Sequence, residues 1–259
     1  MSDTLQVPGD TVPQPGRVRV SDLRAALVSG WRDFRRAPSF GIFFGAVYAI
    51  AGLGLIWLGA GTFVWTIAIC LGFPLFAPFA AVGLYEVSRR IEQGDALDWY
   101  QVLGVIHAEK DRQMPWIGAI ILIYVLFWSF LSHMIFALFM GLSVMTNVST
   151  SYEVFLTPNG LTMMSVQFLV GGVLAFVLFA LTVVSMPLLL DREVDFVSAM
   201  IVSFQLVVRN LPVMLLWAGF VAITTILAMI PVFLGLIVVL PILGHATWHL
   251  YRQALVPVE

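Results

Sequence analysis

Three times along the chain a stretch of mixed apolar and charged residues ends in a proline and gives way to a long apolar run. The stretches are Val20 to Pro38 (VSDLRAALVSGWRDFRRAP), Leu97 to Pro115 (LDWYQVLGVIHAEKDRQMP) and Val194 to Pro212 (VDFVSAMIVSFQLVVRNLP). Counted back from the proline, each carries Arg three residues before it (Arg35, Arg112, Arg209) and Val ten before it (Val28, Val105, Val202). Each also has a helix-capping residue seventeen before it: Ser21, Asp98 and Asp195. Self-similarity at this scale marks a repeated architecture. It divides the chain at about 20–94, 97–190 and 194–252.

Within Ser21 to Arg36, Leu23, Ala26, Leu27, Gly30, Trp31 and Phe34 follow the i, i+3, i+4, i+7 spacing of one helix face, and Arg24, Arg32, Arg35 and Arg36 fall largely off it. The pattern predicts an interfacial amphipathic helix whose arginines meet anionic lipid head groups. Asp98 opens a second such helix with Trp99, Val102, Leu103 and Ile106 as its stripe, and Asp195 to Asn210 forms the third. The apolar runs between them cover 41–59, 63–85, 116–140, 161–190, 212 to about 230, and 231 to about 250. At 1.5 Å per residue, about 20 residues cross about 30 Å of hydrocarbon.

The predicted fold is therefore all-α: a polytopic membrane protein of six transmembrane helices in three hairpin repeats, each preceded by a cytoplasmic in-plane helix. Residues 20–259 form one membrane domain. Residues 1–19, with Pro8, Pro13 and Pro15 and no apolar run, read as a disordered cytoplasmic arm. Gly41, Gly45 and Gly52 line one face of the first span, and Gly171 and Gly172 mark a second point where helices can approach closely. Pro74, Pro78, Pro187 and Pro241 lie near the inner ends of descending spans, where each should kink its helix.

Composition agrees with the pattern: 60% hydrophobic against 11% charged residues and a mean hydropathy of +0.97. A net charge of −2 gives no reason to expect nucleic acid as a partner. The position of each charge says more. With the N-terminus in the cytoplasm, all 13 Lys and Arg fall on that side, which places the C-terminus there too. Trp31, Trp99, Trp116, Trp248 and Tyr251 then fall at the inner interface, and Trp57 and Trp65 near the outer one. The repeats share one orientation, so a pseudo-symmetry axis would run along the membrane normal, unlike that of an inverted-repeat transporter. The single cysteine, Cys70, can form no disulfide within the chain.

At GFPLFAPFAAVGLYEVSRRIEQG (72–94), GWRDFRRAPSFGIFFG (30–45) and GHATWHLYR (244–252) the chain resembles a bacterial family of integral membrane proteins known as domain of unknown function 2189. The resemblance implies a multi-pass protein of the bacterial inner membrane, and it implies no catalytic residue and no cofactor.

Candidates for chemistry are few. His133 lies deep in the third span near Ser129 and Ser132, and a buried imidazole can ligate haem, relay protons, or simply bond to a serine or neighbouring helix. His245 and His249 are one turn apart, so they face the same way, as a metal-binding pair or as interfacial anchors beside Trp248. Glu86, Arg89, Asp191 and Arg192 mark the inner mouths of two descending helices as a polar cluster. No Asp, Glu, Lys or Arg occurs in 41–85, 116–152, 160–190 or 211–250, which leaves an ion pump without its ionisable group at membrane depth. The sequence thus favours a non-enzymatic protein acting through lipid and helix contacts, as a scaffold, assembly factor or accessory subunit of a membrane complex (a respiratory one among them) or as a homo-oligomer. The alternatives are a channel or carrier for a small neutral or lipid-like solute, and a redox subunit built on the histidines.

Overall fold

The computed structural model describes residues 13–57, 63–141 and 155–256, with side chains throughout except at 55, 56 and 63–77. Among these residues, two long apolar helices each begin within one or two residues of a repeat proline. Pro115 sits in the first turn of α5 (Met114–Met140) and Pro212 in that of α9 (Leu211–Met229). Pro38 is itself the first residue of α2 (Pro38–Trp57). A proline there gives up only an N–H that has no intrahelical partner. The three shorter helices that precede them are α1 (Val20–Arg36), α4 (Trp99–Glu109) and α8 (Phe196–Arg209).

Asp98 and Asp195 cap α4 and α8 by accepting from Gln101 N and Ser198 N at 3.0 and 2.9 Å. In α1 the N-cap is Arg19 and Ser21, expected to cap, lies inside the helix; Asp22 in the first turn reaches back, its Oδ2 accepting from Arg19 N–H at 2.8 Å. The chain is completed by α3 (Phe63–Gln93), α6 (Pro158–Thr182), α7 (Ser185–Asp191), α10 (Leu236–Ala254) and a two-residue strand pair, β1 (Gln14–Pro15) with β2 (Leu255–Val256).

The prolines act unequally. Pro187 cannot donate to the Val183 carbonyl, and the helix breaks at Val183 and Val184 to give α6 and α7. Pro241 stays inside α10, and the backbone of α3 remains helical through Pro74 and Pro78. The sixth apolar run starts later than its hydropathy suggests. Val232 and Phe233 adopt left-handed φ angles of 53° and 63°, and α10 begins only at Leu236. For a β-branched valine that conformation is strained.

α1 packs lengthwise against α10, which also meets α2 and α3, while α3 leads on to α5 and α5 to α6. α1 and α2 meet at a bend of 104°. Close approach rests on glycines. A Cβ on Gly30 would lie 2.6 Å from Ala246 N, and one on Gly45 2.7 Å from Ile237 O, so backbone touches backbone at both crossings with α10. Gly41, Gly52 and Gly171 face the rings of Phe34, Phe233 and Trp128, while Gly172 has open space around it.

The apolar core lies at one end of the bundle. Leu23 and Ala26 of α1, Met114 and Ile117 of α5, Leu188 to Leu190 of α7, Leu206 of α8 and Trp248 and Leu250 of α10 are all buried there. Away from that end the helices are sparsely covered by one another. Among the described residues three helical stretches are long and apolar enough to cross a membrane, namely Met114–Met140, Pro158–Asp191 and Leu211–Met229, and a fourth if the bent pair α1 and α2 counts as one.

Of the arm expected to be disordered over 1–19, residues 13–19 are described and meet the rest of the chain; residues 1–12 lie outside the described residues, as do 142–154 of the loop between α5 and α6. Gln14 pairs with Val256 and Pro15 with Leu255. Asn210 holds the next turn of the arm: its Oδ1 accepts from Val18 N at 2.8 Å, and its Nδ2 donates to Gly16 O and Leu206 O at 3.0 and 2.9 Å. Composition alone does not show this because the partners lie 192 and 194 residues away. Asn210→Ala strands the buried Val18 N–H and is expected to destabilise the protein by about 1–3 kcal/mol. Thermal unfolding in detergent, with faster tryptic cleavage after Arg17 and Arg19, checks this.

Candidate functional site

The stripe of α1 that faces the interior runs Leu23, Ala26, Gly30, Asp33, so its last member is an acid. Asp33 is only 4% exposed and makes no bridge to an arginine or lysine among the described residues. Its Oδ2 accepts from two side chains of other helices, Ser88 Oγ of α3 at 2.8 Å and His249 Nε2 of α10 at 2.7 Å. Ser88 Oγ also lies 2.8 Å from His245 Nδ1. The hydroxyl proton is committed to the carboxylate, so the hydrogen in the second bond comes from His245, whose Nδ1–H donates to Ser88 Oγ. His245 Nε2 is left carrying a lone pair, fully buried and without a partner.

The result is a four-residue chain in the order His245, Ser88, Asp33, His249. It crosses α1, α3 and α10 and ends at a histidine whose side chain is 19% exposed. A catalytic serine triad places the imidazole between serine and carboxylate so that it can take the hydroxyl proton. Here the serine stands in the middle and gives its proton to the carboxylate. The geometry clamps three helices and does not activate a nucleophile.

Around this cluster the ion pairs form one layer. Glu86 is fully buried, and its two oxygens accept from Arg89 Nε and Arg90 Nε, both at 2.7 Å. Glu92 accepts from Trp248 Nε1 at 2.9 Å and from Arg252 Nε at 3.0 Å. Arg252 reaches on to Asp191 at 3.3 Å, and Asp191 accepts from Tyr251 Oη at 2.6 Å. Arg112 pairs with Glu109 at 2.8 Å, and Arg209 donates to Pro15 O at 2.7 Å. The expected polar cluster is thus divided. Glu86 and Arg89 stay within α3, Asp191 joins α10, and Arg192 starts the extended link to α8.

Three of the residues expected as interfacial anchors are packed against other helices. Trp248, Tyr251 and His245 are buried in the core, each holding a polar partner, where α1 packs over α10. Trp31, Trp99 and Trp116 are exposed in part; Trp99 stacks on Phe40 at 3.9 Å and Trp116 on Phe196 at 6.0 Å. His133 Nδ1 bonds one turn back, to the Ser129 carbonyl at 2.7 Å. Among the described residues no group of three or more His, Cys, Asp or Glu is arranged to hold a metal ion.

Comparison with known proteins bears on the same elements. Residues 66–191 match the family described as a predicted integral membrane protein (DUF2189). The chain is an integral membrane protein. The match contains the whole of 72–94, including Glu86 and Ser88, and excludes the α1 and α10 segments that carry Asp33 and the two histidines. No curated protein and no solved structure matches the chain.

Asp33 and Ser88 escape a reading of the sequence for chemistry. Asp33 does carry a signal, as the acid that continues the apolar stripe seven residues after Ala26 and three after Gly30. Ser88 carries none, since its partners lie 55 and 157 residues away.

Removing the shared acceptor should break the clamp. Asp33→Ala leaves the Ser88 and His249 donors without their acceptor and is expected to cost about 1–3 kcal/mol. Denaturant unfolding in micelles checks it, with tryptic cleavage of α1 as the local readout. A second prediction concerns Glu109, 2% exposed, with Oε2 unpartnered. Burial lifts its carboxyl above the usual range, against the opposing pull of Arg112 and Arg89. The folded protein therefore keeps a proton that the unfolded chain has lost, and stability falls as pH rises from about 4.3, the unfolded value, to the folded one. Glu109→Gln should flatten that fall, measured as melting temperature against pH.

Proposed function

We propose that this is a non-enzymatic, six-span protein of the bacterial inner membrane, built as three hairpin repeats, that serves as a scaffold, assembly factor or accessory subunit of a larger membrane complex. One observation carries the reading. Two of the three long apolar stretches are little covered by the rest of the described chain: only 6% of an 18-residue window of α5 and 17% of one of α9 are buried, against 50% in Pro158–Asp191. Phe130 and Leu138 on α5 and Phe168 on α6 are 68%, 76% and 84% exposed. Lipid tails cover such side chains as well as a partner helix does, so association between spans depends on small residues and polar groups. The α5 and α6 pair offers both, with Gly172 open beside Gln167 and Tyr124.

The pairing of β1 with β2 supports an even number of crossings, because it requires both ends on one side of the membrane. Arg89, Arg90, Arg112, Arg209 and Arg252 meet carboxylates or backbone in the same layer as those ends, which supports a cytoplasmic assignment and contact with anionic head groups. The non-catalytic part of the reading is supported by the Ser88 proton being given to Asp33.

Cross-linking in native membranes tests the proposal. In a Cys70→Ser background, Phe130→Cys and Leu138→Cys should each yield a stoichiometric adduct, either with a partner protein or with a second copy. A purified chain that is a monodisperse monomer and gives no adduct at either position overturns it.

A further inference from the structure

An open groove of about 560 Å³ runs between α5 and α6, well inside two spans that are otherwise apolar. Tyr124, Trp128 and Gln167 carry its polar groups, and their hydrogen bonds are only partly made within the chain. Tyr124 Oη donates to Leu174 O at 2.6 Å, and Gln167 Nε2 donates one of its two N–H groups to Ser132 O at 3.1 Å. The other Gln167 N–H, its Oε1 and the Trp128 indole N–H have no partner among the described residues. Both side chains are half-buried, so these atoms are open to whatever fills the groove. Hydrocarbon supplies neither donor nor acceptor, and an amide left unpaired in it is costly.

What is left over matches itself. Each chain brings two donors, from Trp128 and Gln167, and one amide oxygen with two lone pairs, while Tyr124 Oη keeps further accepting capacity. A second copy related by a two-fold axis presents the same set, so the groups left over on one chain meet their complements on the other. Acyl chains would satisfy none of them. Shape agrees with this occupant. Phe168 stands 84% exposed on the ridge of α6, and one turn further on Gly172 has open space where a Cβ would be. A hollow at Gly172 lets a neighbouring helix approach closely. The other flank of the ridge, toward Leu215 of α9, has Ser165 as its polar residue, and that hydroxyl already donates to Leu161 O at 2.9 Å. That flank is suited to lipid.

We propose that two copies associate about a two-fold axis through the α5–α6 groove, with the Gln167 amides paired across it and Phe168 of each copy seated beside Gly172 of the other. The proposal rests on the reading of this face as an association surface and names a second copy of the chain as its occupant.

Resonance energy transfer between donor-labelled and acceptor-labelled chains reads the association with no other protein present. The dyes are attached at Gly104→Cys, an exposed site with open space around it, in a Cys70→Ser background. The purified chains are placed in phosphatidylcholine vesicles, and transfer is followed as the lipid-to-protein ratio rises. Gln167→Leu should weaken association about tenfold, through the loss of one amide hydrogen bond from each copy. Gly172→Leu meets open space within its own chain, so its melting temperature should be no lower, yet it fills the seat of Phe168 and should weaken association at least as much.

Absence of transfer at every ratio, or transfer that either variant leaves unchanged, would overturn the proposal. If Phe130→Cys or Leu138→Cys captures a different protein in native membranes while purified copies stay apart, this inference falls and the accessory-subunit reading stands.

Discussion

The approach of α1 to α10, backbone against backbone, is the constraint on which the rest of the structure depends. It needs Gly30, since any side chain there would press on the Ile242 carbonyl and the Ala246 amide. Once the helices are that close, water is excluded from the face one turn further on, where Asp33 lies. A lone carboxylate in such a place is unfavourable unless several donors surround it. Ser88 and His249 meet that need, and His245 completes the set by bonding to Ser88. A steric choice at one position thereby fixes the hydrogen-bonding requirement at another, and two long-range helix contacts result from it.

Much of the architecture is legible in the residues themselves. Pro115 and Pro212 mark helix starts for a local reason, their fixed φ and absent N–H, and Asp98 and Asp195 cap for an equally local one. Local reasons are what a sequence carries. Pro187 announces a bend in its helix, and the break it produces lies at the carbonyl that it leaves without a donor. The junction of α1, α3 and α10 is not legible, because its bonds join residues 55, 157 and 216 positions apart. His245 and His249 stand out in the sequence as a pair on one face. What that face meets is hidden there, since it depends on α1 lying over α10 and not in the lipid interface alone.

The two ends of the molecule contrast in character. At one end, side-chain hydrogen bonds and ion pairs tie α1, α3, α7, α8 and α10 into a dense layer that includes the β1–β2 pair. Further along, α5 and α6 are joined by Tyr124 Oη donating to Leu174 O and Gln167 Nε2 to Ser132 O, and other bonds stay within one helix, such as Thr162 to Pro158 O, Ser165 to Leu161 O and Thr224 to Phe220 O. The last three hydroxyls satisfy themselves on their own helices and so meet lipid without an unmatched donor. Rigidity and adaptability are distributed along the axis of the bundle.

The clamp also has a history within each molecule's synthesis. Asp33 is made 216 positions before His249. At about 5–20 residues per second the wait between them is roughly 10–40 s. During that interval α1 has no α10 to cover it, and its apolar stripe, interrupted by one acid and flanked by Arg24, Arg32, Arg35 and Arg36, is suited to lie on the membrane surface. Of the described helices α10 is translated after all the others, so a chain that has not yet reached it displays an unpaired carboxylate and an uncovered glycine face that the closed fold conceals. Quality control in the membrane has a ready signal in that difference.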